Sequence, residues 1–69
     1  MNEDWVKVYT TTMAHKAEIV KAVLDDHDIE SMIVNKTDSS YPGLVGNIEL
    51  YVMEKHEVLA QFIIKQNEL

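Results

Sequence analysis

A chain of 69 residues with no cysteine has to hold itself together by apolar burial alone. Domains this short bury only about 60% of the surface that the unfolded chain exposes. Many of them add disulfides or a thiolate-bound metal to compensate. Neither device is open to this sequence, so its apolar residues and any oligomer interface must supply the stability. The length allows one domain, residues 1–69, and the lack of cysteine fits a cytoplasmic setting.

Charge narrows the partners. Twelve acidic residues stand against six basic ones, for a net charge of −6. All six bases are lysine. Nucleic-acid backbones require clustered positive charge, and planar recognition of phosphate usually falls to arginine. Nucleic acid and anionic membrane surfaces are therefore poor partners for this chain. The first residues carry acids rather than the basic region of a secretion signal, and no apolar run reaches membrane-spanning length.

Periodicity sets out five elements. Trp5 to Thr10 alternates as a strand, placing Val6 and Val8 on one face and Trp5 and Tyr9 on the other. Thr10, Thr11 and Thr12 offer hydroxyls to begin a helix. Met13, Ala17, Val20 and Leu24 then recur at helical spacing, widened by Ile19 and Val23. That helix ends in Asp25-Asp26-His27-Asp28, with Asp28 taking the left-handed position usually given to glycine.

Ile29 to Lys36 reads as a second strand with apolar residues on both faces, so its inward side stays open. Thr37 to Gly46 is the one loop, with a turn at Tyr41-Pro42-Gly43-Leu44. Asn47 to Met53 alternates cleanly, with Ile48, Leu50 and Val52 on one face. Glu54 and Glu57 suit the first turn of a second helix, whose apolar stripe is Val58, Leu59, Phe62 and Ile63.

Strand, helix, strand, strand, helix is the order of a split βαβ unit. The expected fold is α+β and ferredoxin-like: a three-stranded sheet with the third strand central and both helices on one face. The hydrophobic first strand, Ala17 to Leu24, the helix end leading into Ile29, Ile48 to Val52 and Ala60 carry a resemblance to a known family. From Val6 to Ile64 the chain resembles the putative prokaryotic signal-transducing proteins, small bacterial domains of undefined function. The family usually has glycine where this chain has Asp28. The resemblance implies a ferredoxin-like fold akin to the PII-like nitrogen-regulatory proteins, and it brings no catalytic residues.

The residues themselves also offer little catalysis. Ser39, Ser40 and Tyr41 have no histidine beside them in sequence to act as base. His15, His27 and His56 sit at helix ends, and Asp25 to Asp28 are consecutive, so these ligand types diverge rather than enclose a metal. The expectation is a non-enzymatic module without cofactor or metal.

Its best surface is the sheet face left open by the helices, with Trp5, Tyr9, Tyr51 and Met53 as interface residues and Lys7 and Glu49 paired between them. Aromatic and methionine side chains are enriched at such interfaces. The free edge of the first strand is a second route to a homodimer or to pairing with another protein. The alternative is a small-molecule sensor using Ser39, Ser40 and Tyr41 in the Thr37–Gly46 loop.

Overall fold

A computed structural model describes residues 4–36 and 47–69. Strand β1 (Trp5–Thr11) leads to helix α1 (Ala14–Asp26), then to strands β2 (Ser31–Lys36) and β3 (Asn47–Met53). A single 3₁₀ turn, Glu54–His56, opens directly into helix α2 (Glu57–Gln66). The sheet order is β1-β3-β2, with β3 antiparallel to both neighbours. This is the α+β arrangement expected from the element order, with the third strand at the centre.

The core lies between the sheet and the helices. Leu50 and Val52 of β3 meet Val20 and Leu24 of α1 and Ala60 and Ile63 of α2, all of them buried. Burying a leucine or valine fully is worth about 1.5–3 kcal/mol. Against a total near 3–10 kcal/mol for a domain of this length, the central strand is decisive.

Both helices end in the same way. The Ile29 N–H donates to the Leu24 carbonyl and the Asp28 N–H to the Asp25 carbonyl, each at 2.9 Å. After α2, Leu69 and Glu68 make the equivalent bonds to Ile64 and Lys65 at 3.1 Å. These are Schellman caps, which need a left-handed residue. Asp28 (φ 61°) and Glu68 (φ 54°) occupy those positions although neither is glycine. The residue that follows then packs inward: Ile29 is buried in the core and Leu69 lies against it.

The start of α1 differs from expectation. Met13 is the N-cap residue and its side chain makes no capping bond. Thr11 Oγ1 instead accepts from the Met13 N–H at 3.1 Å, so a threonine hydroxyl serves the turn ahead of the helix. Ile19, expected on the inner stripe, is exposed, while Val23 packs against the core.

The inner face of α2 needs a larger correction. Ala60, Ile63 and Ile64 are buried, whereas Val58, Leu59 and Phe62 are exposed, Val58 by 80%. Residues 59, 62 and 63 and residues 60, 63 and 64 both satisfy helical spacing, so spacing alone cannot choose between them. Packing makes the choice, since Ala60 allows the helix axis to lie close against the sheet.

Candidate functional site

β1 contains an irregularity that resets its faces. Val6 lies opposite Val52 and Lys7 opposite Tyr51, but Tyr9 lies opposite Leu50, so Val8 is an extra residue. A bulge of this kind shifts the alternation of every residue after it. Tyr9 consequently points to the helix side rather than joining Trp5 on the open face. Its hydroxyl donates to the Leu69 carbonyl at 3.0 Å, and its ring packs against the core. Tyr9 is therefore removed from the candidate interface. Its role is to tie the end of α2 to the first strand.

The open face can then be assembled strand by strand. β1 contributes Trp5, Lys7 and, beyond the bulge, Thr10. β3 contributes Glu49, Tyr51 and Met53. β2 pairs Ser31 with Val52 and Ile33 with Leu50, which turns Ser31, Ile33 and Asn35 toward the helices. The inward side of β2, ambiguous from sequence, is thereby settled. Met32 and Val34 lie on the open face, with Met32 40% exposed. Trp5 and Met53 are direct cross-strand neighbours, as are Met32 and Tyr51. Trp5, Tyr51, Met53 and Val34 are each half-buried, so the face presents ring and thioether surface to solvent.

Glu49 is the unexpected member of this face, because it is a carboxylate only 8% exposed. The Tyr51 hydroxyl donates to Glu49 Oε1 at 2.7 Å, and Lys7 Nζ lies 3.6 Å from Oε2. Buried carboxylates require such partners, since an unpaired buried charge is expensive. The Lys7–Glu49 pair expected from sequence is present, with the carboxylate sunk into the face and the lysine exposed above it. The hydrogen bond to Glu49 pushes the Tyr51 pKa above 10.0, with desolvation and the glutamate charge acting in the same direction.

The remaining candidates are dispersed. His15 is exposed in the first turn of α1, and His56 belongs to the 3₁₀ turn. His27 caps α1, with Nδ1 3.0 Å from the Val23 carbonyl. Among the described residues no three metal-ligating side chains converge. Ser39, Ser40 and Tyr41 lie outside the described residues. Two shallow cavities flank α1, of about 90 and 80 Å³. Both are far below the roughly 300 Å³ at which small-molecule sites begin. Among the described residues no helix is long and apolar enough to cross a membrane.

Residues 5–68 match the family described as "Putative prokaryotic signal transducing protein". No curated protein and no solved structure matches the chain.

Proposed function

The chain belongs to the family of putative prokaryotic signal transducing proteins, and on that premise we propose that it is a non-enzymatic regulatory module. It acts by binding a partner protein through the sheet face turned away from its helices. The observation that carries this reading is the grouping of Trp5 and Met53, Tyr51 and Met32 as cross-strand neighbours on that face. Exposed apolar surface gathered in one place marks interaction sites more often than scattered residues do. Aromatic and methionine side chains supply much of the binding energy at such sites.

The Lys7–Glu49–Tyr51 cluster gives the face a polar centre. A partner must either leave these bonds intact or replace them, and this favours selectivity over non-specific adhesion.

The test uses Trp5, which is the chain's only tryptophan. Replacing Trp5 and Met53 together by serine should abolish capture of the protein's partner from a bacterial extract while far-UV dichroism stays native. Tyr9→Phe, altered on the opposite side of the sheet, should leave capture unchanged. Equal capture by the native chain and the Trp5→Ser/Met53→Ser variant would refute the proposal.

A further inference from the structure

The two outer strands differ in how they protect their free edges. β1 carries the bulge at Val8 and an exposed lysine, Lys7, in its first half. Bulges and edge lysines are devices that discourage pairing with another strand. β2 has neither. It pairs with β3 through six consecutive residues without a shift, and its middle is Met32-Ile33-Val34. Among the described residues nothing pairs with its outer edge. The helix above it does not crowd that edge: Ala14, Ala17 and Glu18 of α1 leave a shallow notch over Ile33 and Asn35.

We propose that the chain forms a two-fold dimer in which β2 pairs antiparallel with β2 of a second copy, centred on Ile33. Geometry restricts the register. Residues directly opposite each other in a continuous sheet must share a face. Ser31, Ile33 and Asn35 lie on the helix side, and Met32 and Val34 on the open side. A two-fold axis must therefore pass through a residue, not between two.

Centring on Ile33 sets Met32 opposite Val34 of the second copy and Ser31 opposite Asn35 of the second copy. It also sets Glu30, one residue before the strand, opposite Lys36 of the second copy. Each contact occurs twice. Centring on Met32 would place Glu30 opposite Val34, and centring on Val34 would leave Glu30 without a position on the strand. Of these registers only the one centred on Ile33 sets Glu30 opposite Lys36, so it alone matches opposite charges at both ends. The product is a six-stranded sheet with the apolar open faces of both copies side by side. This inference does not depend on the partner-binding reading, because it rests on the β2 edge and not on Trp5 or Met53.

Sedimentation equilibrium from micromolar to millimolar concentration tests it, with far-UV dichroism as the check on folding. The native chain is expected to show a reversible monomer–dimer equilibrium. Met32→Lys with Val34→Lys places lysines opposite each other twice and should weaken the dimer by about tenfold or more. Glu30→Lys is an exposed change that does not threaten the core. It should weaken the dimer several-fold, and adding Lys36→Glu should restore it. Trp5→Ser with Met53→Ser should leave the dimer intact.

A native chain that remains monomeric at millimolar concentration would overturn the proposal. So would a dimer indifferent to Met32→Lys/Val34→Lys, or one not rescued by the charge exchange at 30 and 36.

Discussion

Replacing Asp28 by glycine should make the protein more stable. Asp28 holds φ at 61°, where the Cβ of an L-residue crowds the carbonyl that follows. The position cannot relax, because the N–H groups of Asp28 and Ile29 are bonded to Asp25 and Leu24 and Ile29 is buried. Relieving the left-handed conformation returns roughly 1–2 kcal/mol. Glycine gives back about 0.4–1 kcal/mol through the greater freedom of the unfolded chain.

A second contribution is electrostatic. Asp25, Asp26 and Asp28 gather at the negative end of the α1 dipole, where Lys21 neutralises only Asp25, at 3.4 Å. Removing one of these charges is worth about 0.3–1 kcal/mol at low salt. The net expectation is about 1 kcal/mol, or roughly 4–8 °C in melting temperature for a domain of this size.

Urea unfolding followed by far-UV dichroism measures the change, repeated at two protein concentrations so that association is not mistaken for stability. Asp28→Asn separates the two contributions: it removes the charge and keeps a side chain, so it should give only the salt-sensitive part. A glycine variant no more stable than the asparagine variant would refute the conformational argument.

Three further outcomes follow from the packing. Tyr9→Phe removes the bond to the Leu69 carbonyl and should cost about 0.5–1.5 kcal/mol, measured by the same unfolding experiment. Ala60→Leu should destabilise by roughly 1–3 kcal/mol, because Ala60 is fully buried against the sheet, whereas Val58→Gln should change stability by no more than about 0.5 kcal/mol. In an ultraviolet titration at 295 nm Tyr51 should ionise above the ordinary tyrosine range, and Tyr51→Phe should remove that phase. Since the folded Tyr51 pKa is raised, the stability it contributes is complete below about pH 10 and is lost as pH climbs through the folded value. A Glu49→Gln variant should move this transition back toward the ordinary tyrosine range.

The parts of the fold that were legible in the sequence are those governed by one-sided burial. β3 was readable from Asn47 to Met53 because Ile48, Leu50 and Val52 alternate with polar or half-buried residues. The left-handed residue after α1 was readable because aspartate tolerates that conformation where most side chains do not. The inner side of β2 was not readable, since Met32, Ile33 and Val34 are all apolar and only pairing with β3 orients them.

Two misreadings share a related cause. In α2, apolar residues lie around most of the helix, and close packing at Ala60 decided which of them turned inward. In β1, Val8 and Tyr9 suit either face, so inserting one residue left no trace in the pattern while moving Tyr9 across the sheet. Of the candidate interface, Trp5, Tyr51 and Met53 were visible as alternating residues. Met32 and Val34 emerged only from the register, as did the near-complete burial of Glu49.

The order β1-β3-β2 also governs how the protein is made. As the chain leaves the ribosome, β1 and β2 appear first, yet they are not neighbours in the finished sheet. Neither has a native strand to pair with until residues 47–53 have been translated. At a synthesis rate of about 5–20 residues per second, the first strand waits on the order of seconds for its partner. Through that interval Trp5, Val6 and Met32-Ile33-Val34 stay unpaired beside a half-formed helix layer. Whatever shields the nascent chain from aggregation must act before β3 arrives.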